Sequence, residues 1–385
     1  MDFELDDEQT ALRDAVRRLL ASTYASIDGR RAATAKAPGW DEGMWGRLAE
    51  MGVLGLPFTE EDGGMGAGPV EVALVAEQLG RVLAPEPFAE AVVLACGLVA
   101  AAGSAEQKEH LLPGVVDGTT VAAFAHFEPG AAAGTPPRSV TATQDGDGWL
   151  LDGVKEPVLH GAQAGVLVVS ARVDAGGTDR TGLFVVATDA AGLDRVDYPT
   201  YDGIRAARVT FASTPAAPLG AAGADASDVL ALVTAHAQVA LCHEAVGAMA
   251  TALDLTTEYL RTRKQFGVPL KTFQALTFRA ADMYVSLELA RSMALWATLV
   301  LADGDPDAAV VAATRAVVQT SAAGRHIGQE AIQLHGGIGM TAEYAVGHYT
   351  TRLTAIDQLL GGRTAHLKAL ADHVGEYDVV DPLAV

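Results

Sequence analysis

The sequence predicts a multidomain α+β protein, with helices first, strands in the middle and helices again at the end. Three observations carry this. Apolar residues recur at helical spacing from residue 3 to about 118, short β-branched runs fill 119 to 218, and helical spacing returns over 219 to 385. Alternating strand and helix units are missing, which argues against an open parallel α/β sheet.

In the first segment Phe3, Leu5, Leu12, Val16, Leu19 and Leu20 share one helical face, with Asp6, Asp7 and Glu8 in the early turn where the helix dipole favours acids. The punctuated stretch GLPFTEEDGGMGAGP follows, then two further apolar helices. In the middle segment WLLDG, VLVVSARV, GLFVVAT and ARVTF read as strands, separated by turn-rich QDGDG and DAGGTD. The third segment has few glycines until the pairs at 336 and 361.

Half of the 385 residues are hydrophobic and 19% are charged, so a folded chain with a large core is expected. The formal net charge of −21 argues against nucleic acid and anionic membrane surfaces as partners. It still allows a local basic site for a phosphorylated ligand. Cys96 and Cys242 lie apart in apolar stretches and read as buried packing residues of a reducing compartment. The acidic, amphipathic N-terminus is unlike a targeting peptide, and the unbroken apolar run 91–102 is too short to span a bilayer. A cytoplasmic protein is expected.

Three stretches carry chemistry. RTRKQFGVPLKTFQ, 261 to 274, gathers cations where a helix stops; Arg263 could pair with a diphosphate and Phe266 could pack on a ring. QLHGGIGMTAEY, 333 to 344, puts two glycines after a helical run, where backbone can approach a ligand closely or the helix simply ends. AHFEPGAAAG, 125 to 134, is a strand running into a turn. GGMGAG at 63 to 68 does not match the spaced dinucleotide fingerprint. His236 and His243 have no third ligand evident, so no metal site is expected.

Together, and in this order, the segments resemble the acyl-CoA dehydrogenase family over nearly the whole chain. The resemblance rests on MWGRLAEMGVLGLPFTEEDGGMG, SAEQKEHLLPGVVDG, a strand ending at EPG, YLRTRKQFGVPLKTFQA and QLHGGIGMTAEY. It implies an N-terminal helical domain, a middle antiparallel, barrel-like β domain and a C-terminal four-helix bundle. It also implies FAD at a subunit interface, an acyl-CoA thioester as substrate and an electron acceptor such as an electron-transfer flavoprotein. Arg263, Gln265, Phe266 and Gln274 then look like residues reaching the FAD of a neighbouring subunit, and Gln333, Gly336 and Gly337 like the segment cradling its adenosine end.

The family's α,β-dehydrogenation needs a carboxylate base within reach of the α proton. The position most members use falls on Leu360, and the one a minority use falls on Ala237. Neither can take a proton. Glu244 and Asp357 are the nearest acids in sequence and the remaining catalytic candidates, each with an alternative role in helix pairing. Around the expected flavin ring, Phe127 stands where a Thr is common and Pro157 and Leu159 where Trp-x-Thr is usual; the turn after Pro129 is AAAG, without the usual serine.

A chain that keeps its donating residues and loses its receiving ones suits a heteromer, resembling the α2β2 members. The expected function is the partner subunit of an FAD-dependent acyl-CoA dehydrogenase. The alternatives are a homomeric enzyme with a relocated base and a non-catalytic acyl-CoA-binding or scaffold homologue. A nitroalkane-type oxidation needs an acid base too and fails for the same reason.

Overall fold

A computed structural model describes residues 5–131, 135–174, 177, 179–359 and 361–376. The chain opens with α1 (Asp7–Tyr24), α2 (Ile27–Thr34), α3 (Glu42–Glu50) and α4 (Pro69–Val82). A π-helical segment, Phe88–Cys96, runs on as α5 (Gly97–Ala102), and α6 (Ala105–Val116) follows. Start signals are written into these helices. Asp6 and Gln9 form a reciprocal capping box at α1, Ser104 and Gln107 form another at α6, and Pro69 opens α4.

Seven strands follow: β1 (Ala122–Ala125), β2 (Thr141–Asp145), β3 (Gly148–Leu159), β4 (Val166–Asp174), β5 (Asp179–Ala187), β6 (Leu193–Pro199) and β7 (Arg205–Pro218). The path β1-β4-β2-β3-β7-β5 closes because β4 also pairs with β5, and β6 lies along β7. The sheet is antiparallel except at β4, which runs parallel to both β1 and β2. These two pairings are the exceptions within the expected antiparallel β domain. Alternation within a strand fixes which side chains face the core but not the direction of its neighbour. The β3–β7 ladder shifts register between Lys155 and Val158, where Pro157 cannot donate to it.

The chain then forms α7 (Ser227–Thr262), a small hairpin of β8 (Lys264–Gln265) and β9 (Val268–Pro269), α8 (Gln274–Asp303), α9 (Pro306–His335), α10 (Ala345–Leu359) and α11 (Arg363–Asp372). First and last segments share one core, from Val16 and Leu20 through Val246 to Leu353 and Ile356, while the sheet has its own around Leu151, Val169 and Val209. The two buried thiols belong to the helical core, and burial pushes each up to about 12.

α7 and α8 are long and apolar enough to cross a bilayer by length and composition. An unbroken apolar run does not reveal them, because scattered polar residues interrupt both. α7 is the central helix of the helical core, whereas α8 leaves Phe278, Val285 and Leu289 more than half exposed on one face.

α4 and α7 cross backbone to backbone. A Cβ on Gly80 would lie 1.9 Å from the Glu244 carbonyl oxygen, and one on Gly247 would lie 2.0 Å from that of Glu77. Only glycine permits this approach. The last carbonyls of α4 are then satisfied from elsewhere, that of Arg81 by Thr251 and Tyr349 and that of Leu83 by Arg30.

Candidate functional site

Two regions stand apart. The first is the end of the bundle where α7 and α9 stop and α8 begins. Arg263 caps α7, and its carbonyl accepts from Leu270 N–H at 2.8 Å, closing the hairpin. Lys264 pairs with Pro269 and Gln265 with Val268, leaving Phe266 (φ +52°) and Gly267 (φ +83°) as the turn. Positive φ at both positions is the two-residue hairpin geometry, but a phenyl side chain there carries strain. Phe266 is 92% exposed, touching Phe273 edge to face. Arg261, Arg263, Lys264, Gln265 and Gln274 are all exposed around it.

The glycine segment lies at this same end. His335 packs between Tyr259, one turn before Arg263, and Tyr344, at 4.5 and 4.8 Å between ring centres with the rings tilted. Gln333, Gly336 and Gly337 are exposed beyond it, and a Cβ on either glycine would meet nothing within 4 Å. The structure thus gathers all seven of the residues expected to bind cofactor.

The second region is a cleft of about 440 Å³ between the sheet and the helices. Phe124, His126, Phe127, Pro157 and Leu159 form its sheet wall, and Leu230, Thr234, Gln238 and Leu241 come from α7. Leu359 and Gly361 line it too. Leu360 lies outside the described residues, as do residues 132–134 of the AAAG turn. Phe127, Pro157 and Leu159 offer no side-chain hydrogen bond to anything in the cleft.

Glu244 is not placed as a base. It is buried, and both its oxygens accept from Arg352 of α10, Oε1 from Nε at 2.7 Å and Oε2 from Nη2 at 3.1 Å. Burial pushes its carboxyl up against the pull of Arg352. Arg352 also donates to Asp202 at 3.1 Å and to Glu90 at 3.4 Å. Burial works against its charge, yet Glu244, Asp202 and Glu90 raise it well above the ordinary arginine range. Asp357 caps α11, its Oδ1 accepting from Arg363 N–H at 3.3 Å. Neither acid lines the cleft. Ala237 is buried in α7. The carboxylate that does line it is Glu90, on the π-helical segment, which no motif in the sequence marks. Arg352 goes unmarked as well. Its one signal is a lone cation on the face shared by Tyr349, Leu353 and Ile356.

Behind the sheet wall lies a second buried pair. Lys155 donates to Glu128 Oε1 at 3.0 Å, to the His126 carbonyl at 2.9 Å and to Ser170 Oγ at 3.4 Å. Glu128 also accepts backbone N–H groups from Arg138, Ser139 and Val140. Burial works to raise its carboxyl, but these donors hold it down at about 2. Burial lowers Lys155 to about 8 despite Glu128.

The signs differ in consequence. Glu128 contributes stability that is present above its unfolded value of 4.5 and lost as pH falls toward about 2. Lys155 costs stability below about 8, and that cost is relieved as pH rises toward its unfolded 10.5. Glu128→Gln, which strands a buried ammonium, is expected to cost about 3–5 kcal/mol in urea unfolding at neutral pH. Lys155→Met should cost only about 1–3 kcal/mol, because three backbone N–H groups still hold the carboxylate. The Glu128→Gln deficit should shrink at pH 9.5; a deficit constant with pH would exclude Lys155 as its cause.

The fold and its two regions define a helical protein with a β-barrel insert, a largely apolar cleft, and an exposed cationic arm remote from it. Family models for the acyl-CoA dehydrogenase N-terminal and C-terminal domains match residues 6–119 and 229–374. The acyl-CoA dehydrogenase FadE12 of Mycobacterium tuberculosis is 30% identical over 88% of this chain and 89% of its own length. Among solved structures, a variant of the Tcur3481-Tcur3483 steroid ACAD superposes with a TM-score of 0.86 at 34% identity, covering 96% of this chain and 98% of that one. The ChsE4-ChsE5 complex from Mycobacterium tuberculosis gives 0.88 at 25% identity, covering 98% and 100%. The chain belongs to the acyl-CoA dehydrogenase family, whose members are FAD-dependent oxidoreductases.

Proposed function

We propose that this chain is the partner subunit of a heteromeric acyl-CoA dehydrogenase, donating one half of a shared FAD site and leaving base and ring contacts to a homologous subunit. One observation supports it above the rest. The donating arm at Arg263–Phe266 lies 22 residues beyond Leu241 on α7, about 33 Å from the nearest part of the chain's own cleft lining on that helix. An arm that far away serves another chain's site, and a phenyl 92% exposed at its tip awaits a ring or pocket there.

Arg263 would engage a diphosphate through its planar fork, Gln265 and Gln274 would hydrogen-bond the cofactor, and Phe266 would pack on it. Gln333 and the open backbone of Gly336 and Gly337 would cradle the adenosine end. Bound FAD supplies the two-electron acceptor for α,β-dehydrogenation of an acyl-CoA thioester. At the three positions where the resemblance expects contacts to the flavin ring, this chain's cleft has Phe127, Pro157 and Leu159, whose side chains donate no hydrogen bond to it. The chemical step therefore belongs to the other subunit. The apolar stripe on α8 at Phe278, Val285 and Leu289 is a face for that second subunit. Two similar solved structures, Tcur3481-Tcur3483 and ChsE4-ChsE5, are named as pairs of proteins, which favours the same arrangement here. An electron-transfer flavoprotein is the expected electron acceptor, and a reducing, cytoplasmic setting suits the buried free thiols.

The visible absorption spectrum tests this directly. The chain purified alone is expected to be colourless, and the chain co-expressed with a homologous subunit to carry flavin. Stoichiometric flavin in the lone chain would overturn the proposal.

A further inference from the structure

We propose that the cleft of this chain is itself a ligand site, free of flavin, that takes a compact, uncharged, apolar molecule and recognises its carbonyl group through the Nε2–H of His126. The inference rests on the partner-subunit reading only in leaving the cleft without flavin.

The cleft has the size for it. About 440 Å³ lies within the roughly 300–1,000 Å³ of ordinary small-molecule pockets. Its walls are flat and apolar on the sheet side, from Phe124, Phe127 and Pro157. Glu90 is the one carboxylate on its lining among the described residues, and it disfavours an anionic ligand.

The hydrogen bonds behind His126 decide what it presents. An ammonium has three donors and no acceptor, so Ser170 Oγ accepts from Lys155 at 3.4 Å. Ser170 is fully buried, and its own hydrogen has one acceptor within reach among the described residues, His126 Nδ1 at 2.8 Å. Nδ1 therefore accepts, and the proton of the neutral ring sits on Nε2. Nε2 has no partner among the described residues, and the ring lines the cleft. Phe124 fixes the ring plane, stacked at 5.3 Å with 13° between planes. Burial, with Lys155 behind it, holds the imidazole down at about 4, so it is neutral at physiological pH. Thr181, Ser227, Thr234, Gln238, Thr314 and His366 add polar groups elsewhere on the lining, but His126 presents its neutral donor from the apolar sheet wall beside Phe124 and Phe127, where it favours a neutral acceptor.

The test uses 2-acetylnaphthalene and its isostere 2-isopropenylnaphthalene, in which a methylene replaces the carbonyl oxygen. Calorimetric titration of the full chain, alone and in its complex, is expected to show the ketone binding about three- to tenfold more tightly. His126→Phe should abolish that preference while leaving the isostere's affinity within about twofold. Equal affinity for both in the wild type overturns the role of His126, and binding of neither overturns the site. The wild-type protein gives an independent readout by long-range ¹⁵N–¹H NMR: protonated Nε2 is expected, and protonated Nδ1 overturns the assignment. Flavin content, read separately by absorption, keeps a failure of the partner-subunit reading distinguishable from a failure of this one.

Discussion

Arg352→Met is expected to destabilise the chain by about 4–5 kcal/mol or more, beyond any other single replacement in its ion-pair network. Arg352 is 5% exposed, and its guanidinium is the common partner of Glu244, Asp202 and Glu90. Methionine fills much of its volume but leaves three carboxylates facing one another beneath the cleft. Arg30 cannot take over, because its Nη2 is spent on the Asp202 carbonyl and its Nε on that of Leu83. Glu244→Gln should cost less, about 3 kcal/mol, since Asp202 and Glu90 remain with Arg352. The pH dependence has a definite sign. Without Arg352 the carboxylates titrate above their unfolded values, so the Arg352→Met deficit should shrink as pH falls from 8 to 5. Urea unfolding at both pH values measures this; a loss under about 1 kcal/mol at pH 8 would contradict the buried network.

Gly80→Ala and Gly247→Ala are expected to cost about 3 kcal/mol each, although alanine is favoured over glycine in a free helix by about 1 kcal/mol. The added methyl would stand about 2 Å from a backbone oxygen of the facing helix, and neither helix can give locally. Separating α4 from α7 also draws Glu244 away from Arg352, because the oxygen facing Gly80 belongs to Glu244 itself. The double substitution should therefore cost less than the sum of the singles. Gly46→Ala in α3, where a Cβ meets nothing within 4 Å, serves as the control and should stabilise by up to about 1 kcal/mol. Equal effects at positions 46 and 247 would mean that the crossing is not close-packed.

The helical stretches, the middle run of strands and the arm could be read from the sequence because each depends on local signals. Spacing of apolar residues writes the helices, turn chemistry writes the hairpins, and RTRKQFGVPL announces its own helix end. The π-helical turn that brings Glu90 to the cleft has no such signature, nor do the parallel pairings of β4. Arg352 looks like a surface cation until its partners are known, and these come from the π-helical segment, the β6–β7 loop and α7. The same holds for His126, whose tautomer is set by Ser170, 44 residues away, and by Lys155. Chemistry carried by one stretch of chain was legible. Chemistry assembled from distant stretches was not, because spacing along the chain says nothing about which side chains a barrel seam or a helix crossing brings together.

The exposed hairpin at Phe266 also bears on how such a chain must be produced. In the proposed heteromer, an arm ending in a phenyl ring that is 92% exposed, and the exposed apolar stripe on α8, are harmless only once the second subunit covers both. Copies made in excess of their partner expose the surfaces on which aggregation and proteolytic clearance act. Matched synthesis of the two subunits is thus what the proposed assembly demands, and one turn of backbone sets that demand. The yield of soluble chain should follow the supply of its companion rather than its own expression.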